Sequence, residues 1–496
     1  MKHKETLFEE FPPVTAEDWL ARINADLKGE DFYSRLVWKT EEGLDVMPFY
    51  MQKDLSSLRY KGVVKKNGRW LIRQDIEVND YQESNSKALD IINKGVDSTG
   101  FIISDPDTVT KENVRHLLEN ISFDTVETNF LSNGKAREIL AYLDEIISER
   151  GISRQMVRGA IEADPSGRLM INGTLCITPE AGFDYLASLV KESEILPQYR
   201  VVHVNGANFG NAGADCVQEL AFTMSSFSEY MSQLTDRGIT SSMAASKTRL
   251  GFATGSDYFM EIAKLRAARI LWPAIIKGFI MDGDEMINPE IHCQTTMWNK
   301  TLFDPYVNMI RTQAEAMAAV LGGADSITLL PFNRASVCSD EFGERIARNQ
   351  QLLLREEAFF DKTADPSAGS YYIETLTNLI ADAAWKLFLE TQEKGGFLSS
   401  LKGGFIQQKI RESASRRKED FMKGRKILVG TNRYRNTDEN VKISSDCDKL
   451  YDLNIRKEDT LVDPLRLFRV AGEFERADKG KASGAGSQNG NTTVQP

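Results

Sequence analysis

Four short polar clusters are the residues most able to do chemistry: Asn205-Gly-Ala-Asn208, Thr254-Gly-Ser256, Gln294-Thr-Thr296 and Pro331-Phe-Asn333. Each follows a short apolar run, so each is expected at the C-terminal end of a strand. Their side chains are amides and hydroxyls. Such groups hydrogen-bond a ligand's carbonyls and amides but do not titrate near neutral pH. The expectation is a neutral ring of Asn205, Asn208, Thr254 and Gln294 that binds, or as a vestigial substrate site once bound, a ligand without proton chemistry. The four histidines are His3, His116, His203 and His292. His3 is terminal, and His116 is expected on a helix surface. His203 and His292 fall in apolar runs, where a hydrogen-bonded interior histidine is the default reading and acid–base work the alternative. They are too scattered in sequence to suggest a metal site. No phosphate-cradling glycine loop, metalloprotease helix or nucleophile elbow is present.

The elements that would position these groups alternate. Strand candidates are 101–104, 168–172, 200–204, 249–253, 291–295 and 326–330, with weaker ones at 124–129 and 371–374. Helical periodicity is expected over 214–234, 257–272, 305–321 and 341–359. In the second of these, Phe259, Ile262, Ala263, Ala267, Ile270 and Leu271 recur at three- and four-residue spacing. Ser256 is expected to cap its start, and Asp257 suits the positive end of the helix dipole. Pro305 suits a first turn, and Gly322-Gly323 a helix end. Strands that alternate with helices pair in parallel through right-handed crossovers. About eight of them favour a closed (β/α)8 TIM barrel over an open sheet, an α/β class of fold.

Residues 1–60 read as an N-terminal arm and interface segment, in which Thr15-Ala-Glu-Asp18 has the form of a capping box. Residues 61–425 read as the barrel, 426–475 as a wrapping linker and 476–496 as a disordered tail. The cationic residues Arg411, Arg416, Arg417, Lys418, Lys423, Arg425 and Lys426 read as a solvated helix face, with a surface for a partner or a CoA phosphate as the second reading. The net charge of −11 over 496 residues argues against nucleic-acid binding. No run reaches the roughly 18–20 apolar residues needed to span a bilayer. The N-terminus lacks a secretory h-region. The five cysteines never stand in C-x-x-C spacing. A reduced, cytoplasmic protein without a membrane or nucleic-acid partner is expected.

Long ordered segments carry a family resemblance. They are the run from His203 to Phe222, the run from Asp257 to Trp272, Asp304-Pro-Tyr-Val-Asn-Met-Ile-Arg-Thr312, Glu315 to Gly323, Arg345 to Leu354 and Asp365-Pro-Ser-Ala-Gly-Ser-Tyr-Tyr-Ile-Glu374. They span roughly residues 30–475 and resemble the methylmalonyl-CoA mutase family. That resemblance implies a TIM barrel enclosing an acyl-CoA, with adenosylcobalamin presented at its mouth by a flavodoxin-like domain. It also implies a radical interconversion of methylmalonyl-CoA and succinyl-CoA, in which the cofactor carries the hard chemistry.

The departures from the family pattern bear on function. Asn208 stands where the family's substrate-facing histidine belongs, and Ala207 replaces a tyrosine. The run Phe-Asp-Leu-Pro-Thr-His-Arg-Gly-Tyr is missing, and after the matching Trp70-Leu-Ile-Arg-Gln74 the next strand reads Phe101-Ile-Ile-Ser-Asp-Pro106. Gln294 is retained near a substrate-contacting glutamine. The cobalamin signature Asp-x-His-x-x-Gly is absent, with Val201 where His203-Val-Asn-Gly206 would need the Asp. The chain ends about where the cobalamin domain would begin. The resemblance therefore points to a small, non-catalytic-type subunit. No residue of it is assigned a catalytic role, it binds no cofactor or metal, and adenosylcobalamin is held by a catalytic large-subunit partner in a heterodimer. The alternative is a stand-alone acyl-CoA-binding barrel or an enzyme with altered chemistry. An independently active mutase that uses a separate cobalamin chain is disfavoured by the missing histidine and tyrosine.

Overall fold

The computed structural model describes residues 14–477 apart from 61–64, 66, 133, 280–286, 337–339 and 437–459. The expected tail beyond 477, the arm's first thirteen residues, His3, Cys338 and Cys447 lie outside the described residues. A two-stranded hairpin in the arm comprises β1 (Trp38–Lys39) and β2 (Asp45–Val46). Eight further strands follow: β3 (Leu71–Glu77), β4 (Ser98–Ile103), β5 (Glu127–Ser132), β6 (Gly159–Ala163), β7 (Tyr199–Asn205), β8 (Thr248–Thr254), β9 (Glu290–Thr295) and β10 (Ser326–Thr328). They pair in parallel in chain order, and β10 closes onto β3, so the ring has no edge. This is the expected (β/α)8 barrel. Helices cover its outside, and one main apolar cluster joins strands to helices.

Two expected strands are helical. Residues 168–172 form the end of the helix Pro165–Asn172, which Asp164 caps through Gly167 N and which stops at Gly173 with φ 74°. An Asp-Pro start and a left-handed glycine stop outweigh the apolar run between them. Residues 371–374 open the helix Tyr371–Glu393, with Ser370 as its cap. The strands that take their places are β3 and β6. The latter, Gly-Ala-Ile-Glu-Ala, is too small and short to show periodicity. The candidate at 124–129 lies three residues early of β5.

The helix Tyr258–Ile276 begins at Asp257, whose side chain makes no cap bond, and Ser256 lies outside it. It is buried nearly all round by neighbouring helices, so its apolar stripe is not its only inward face. Phe259, expected in that stripe, is 48% exposed. The arm helix Ala16–Asp26 carries the expected capping box between Thr15 and Asp18.

The cationic run is not simply solvated. It clamps the arm and the C-terminal segment to the helix Phe405–Met422. Arg417 is 2.8 Å from Glu41 and lies over the Trp298 ring at 4.5 Å, while Lys426 also meets Glu41. Arg411 pairs with Asp463, and Lys418 with Glu473 at 2.8 Å. Beneath Arg417, Asp215 caps the helix Cys216–Thr235 by accepting from Gln218 N at 2.9 Å. The Cys216 thiol donates to Glu42 at 3.4 Å. Burial, then the Glu42 charge, pushes Asp215 up to about 6.

Folding between the ordinary value of 3.8 and about 6 therefore takes up a proton, so stability falls as pH rises through that window and levels off above it. Asp215→Asn keeps a good cap without the charge. It should be about 1–2 kcal/mol more stable than the parent at pH 7 by urea denaturation, with the gap closing towards pH 4.

Candidate functional site

The barrel interior follows from period-two alternation along each strand. In β3 that rule turns Arg73, Asp75 and Glu77 to one face. Arg73 crosses the barrel to Glu162 on β6 at 2.6 Å and holds Asp75 at 2.7 Å. Arg249 on β8 reaches Glu127 on β5 at 3.1 Å, Asn129 at 2.6 Å and Glu290 on β9 at 2.6 Å. Strands β3 and β6 are not neighbours in the ring, nor are β5 and β8, so these pairs meet inside it. Both guanidiniums are 1% exposed. Burial would lower their pKa, but the facing carboxylates more than offset it and raise both. Glu162 is likewise held far below the usual carboxylate range: burial opposes this, and Arg73 followed by His203 outweighs it.

Small residues make room for this network. A Cβ on Gly100 would fall 1.9 Å from Asp75 Oδ1, and one on Gly251 would fall 3.0 Å from His203 Nε2. His292 Nδ1 shares a hydrogen bond with Ser326 at 2.8 Å, as expected of an interior histidine. His203 is only half so. Its Nε2 lies 3.7 Å from Glu162, while its buried Nδ1 has no hydrogen-bond partner. Burial depresses both imidazoles, opposed at His203 by Glu162 and Asp164.

The expected neutral ring is therefore not what fills the mouth. Asn205 shares the inward face of His203, and its N–H donates to Asp164 at 3.1 Å. Asn208 is half-buried on the short helix Ala207–Asn211. Thr254 is fully buried on the face opposite Arg249 and Gly251, and its hydroxyl donates to Gln294 O at 3.4 Å. Of the four, Gln294 alone lines the mouth cavity at the ends of β3 and β10. The run Asn205–Asn211 contains a residue the sequence reading passed over. Asn211 Oδ1 accepts from Thr296 Oγ1 and Met297 N, both at 2.9 Å, and ties the β7 loop to the β9 loop.

The C-terminal segment closes much of the mouth. Leu461 N and Val462 N donate to Gly173 O, Leu465 N to Met170 O, Phe468 N to Asn211 O and Val470 N to Trp298 O. Glu475 accepts from Leu302 N at 2.8 Å and pairs with Arg469 at 2.7 Å. The strap thus crosses the loops after β6, β7 and β9.

The cobalamin implied by the resemblance does not fit these residues. Its lower ligand would be an accessible histidine. Among the described residues His203 and His292 are enclosed in the barrel, and the partly exposed His116 lies on the helix Lys111–Leu117 beside the turn that leads into the start of β5, at the end of the barrel away from the mouth.

Gly100→Ala drives a methyl into the Arg73–Asp75 pair. It should lower stability by about 2–3 kcal/mol, read as a fall in urea midpoint at unchanged slope.

A family model described as methylmalonyl-CoA mutase matches residues 107–459. The chain is 40% identical over 494 residues to the methylmalonyl-CoA mutase small subunit of Porphyromonas gingivalis, covering 96% of this chain and 78% of that protein. It is 32% identical to the methylmalonyl-CoA mutase of Rhizobium meliloti, covering 85% of this chain and 64% of the relative. It is 31% identical to the mitochondrial methylmalonyl-CoA mutase of Homo sapiens, covering 87% and 62%. The chain thus spans under two thirds of these last two relatives. Among solved structures, the 7,8-dihydropteroate synthase of Vibrio fischeri aligns at 13% identity with a TM-score of 0.30, over 60% of this chain and 98% of that one. The chain belongs to the methylmalonyl-CoA mutase family.

Proposed function

We propose that this chain is the supporting small subunit of a heteromeric methylmalonyl-CoA mutase, working in the cytoplasm beside a larger homologous chain that holds adenosylcobalamin and runs the isomerisation. The carrying observation is the ion-pair network on the barrel axis. Arg73 and Arg249 with Asp75, Glu127, Glu162 and Glu290 occupy the space an acyl-CoA would thread. Both guanidiniums already hold carboxylates of this chain, so a substrate acid group would have to displace a buried pair. Asn208 at the family's histidine position can hydrogen-bond but cannot exchange a proton near neutral pH.

The likeness to a protein named a small subunit supports the same reading. So does an arm with exposed Tyr33, Leu36 and Trp38, which suit contact with a partner. Bound in the partner, cobalamin supplies the radical. This chain contributes the second barrel of a pseudo-symmetric pair.

Purified chain given methylmalonyl-CoA and adenosylcobalamin should form no succinyl-CoA, and it should co-elute with the catalytic homologue in size-exclusion chromatography. Turnover by the lone chain, or no association with that homologue, would overturn the proposal.

A further inference from the structure

Among the described residues nine lysines and arginines are buried: Arg73, Lys247, Arg249, Lys264, Arg266, Arg269, Lys300, Arg348 and Arg469. Seven of them touch a carboxylate within salt-bridge distance. Lys247 instead donates to the backbone oxygens of Ser193 and Leu196, at 2.7 and 2.8 Å. Arg348 is the exception. It is 6% exposed, its one hydrogen bond goes from Nη1 to the neutral amide oxygen of Gln74 at 2.9 Å, and its Nε has no partner. The nearby Glu344 is engaged by Lys87 at 2.8 Å and by the Gln74 amide at 3.0 Å. A buried cation without an anion is costly, and buried N–H groups are normally paired.

Arg348 lines a cavity of about 290 Å³ whose origin is the strand register. The β10–β3 ladder ends at Thr328 opposite Arg73, whereas β3 runs on to Glu77 beside β4. Past that point β3 loses its β10 partner, and the seam between them opens towards the helix Glu341–Glu356. Thr328 and Gln294 line the cavity from the barrel side, in register with Arg73, across from Arg348 and Gln74 on the helix side, and Thr328 Oγ1 is a second buried polar atom without a partner. The volume sits at the lower end of the roughly 300–1,000 Å³ of small-molecule sites. It suits a molecule of a few carbons and excludes a whole CoA thioester.

We propose that this seam binds a small free carboxylate anion, with the Arg348 guanidinium as its counter-charge and Thr328 and Gln294 as neutral polar contacts. A planar guanidinium matches a carboxylate's two oxygens. The other cations lining the cavity are already matched: Arg73 by Asp75 and Glu162, Lys87 by Glu344, and Arg334 by Glu77 at 2.7 Å. The site would thus let the family's barrel sense a free acid where it no longer admits the thioester. The assignment does not depend on which chain runs the isomerisation.

The test is isothermal titration calorimetry of the whole chain with sodium succinate, inorganic phosphate and free CoA as separate probes. Succinate is expected to bind saturably at one site in the millimolar range or tighter, phosphate at least about tenfold more weakly, and CoA not at all at this seam. Arg348→Gln should abolish succinate binding. Thr328→Val, a near-isosteric change that leaves the charge alone, should weaken it about three- to tenfold and so keeps the test decisive if the arginine variant does not fold. Absence of saturable succinate binding, equal or tighter binding of phosphate, CoA binding lost in Arg348→Gln, or succinate affinity unchanged in a folded Arg348→Gln or Thr328→Val protein would each overturn the assignment.

Discussion

The cross-barrel ion pairs of Arg73 and Arg249 are the constraint to which the rest of the structure answers. A guanidinium that is 1% exposed must be paired, because taking it from water costs several kcal/mol that only close carboxylates return. Each arginine finds its carboxylate on a strand that is not its neighbour, so the two pairs act as braces through the middle of the ring. The braces dictate composition around them. Gly100 and Gly251 leave room where any larger residue would strike Asp75 or His203. Ser98 and Asn129 finish the unmet oxygens and donors, with Ser98 Oγ donating to Glu127 at 3.0 Å and Asn129 Nδ2 donating to Ser98 Oγ at 2.9 Å. Replacing such a network by well-packed apolar residues is often neutral or stabilising, so stability alone does not explain it. What it does fix is which strands face each other and how much of the axis stays open.

That filling redistributes the space a ligand could use. On the β6, β7 and β9 side, the strap of 460–477 seals the loops with backbone hydrogen bonds and buries Val462, Leu465, Val470 and Ala471. On the β10–β3 side, the ladder stops early and leaves a seam. The mouth is therefore closed where the chain folds back on itself and open where two strands part. Both features follow from local choices, a short β10 on one side and Glu475 reaching Leu302 N on the other. Neither needs a change in the barrel itself.

The barrel was legible because its periodicity is carried by ordinary apolar runs. Strands β7, β8 and β9 were placed to within a residue at each end, and the helix Pro305–Gly322 announced itself by Pro305 and the glycines after it. The errors have physical reasons. Residues 168–172 look like a strand only if Asp164-Pro165 and Gly173, which start and stop a helix, are ignored. Strand β6 is a five-residue strip of small side chains, and nothing in it alternates strongly. The four residues of the expected neutral ring are dispersed for another reason. Asn205 and Gln294 stand at the inward ends of β7 and β9, Thr254 turns to the opposite face of β8 and Asn208 lies beyond β7, whereas the charged groups sit deeper in the ring. There Arg73, Asp75 and Glu77 stand at every second position of β3, a pattern that puts charge on one face of a strand. In a closed barrel that face can be the inside. Pairing across the ring was beyond sequence, since nothing along the chain joins Arg73 to Glu162 or Arg249 to Glu127.

Charge satisfaction also separates scaffold from site within one chain. Lys264, held at 2.7 Å by Glu219 and at 2.6 Å by Glu261, and Lys300, held at 2.7 Å by Glu315, have every sign of structural cations. Lys247 shows the other structural solution. Backbone carbonyls solvate it, and burial, then Arg200, brings it down to about 8. Arg348 has neither solution, and burial holds its pKa below the ordinary value while Asp90 and Glu344 act only at a distance. Every other buried lysine or arginine of the described residues meets a carboxylate or, for Lys247, backbone carbonyls, whereas Arg348 meets only the Gln74 amide. Glu344 sits on the same helix one turn away, but it is turned to Lys87 and Gln74. The arrangement holds the guanidinium ready for an acceptor that the chain itself does not supply.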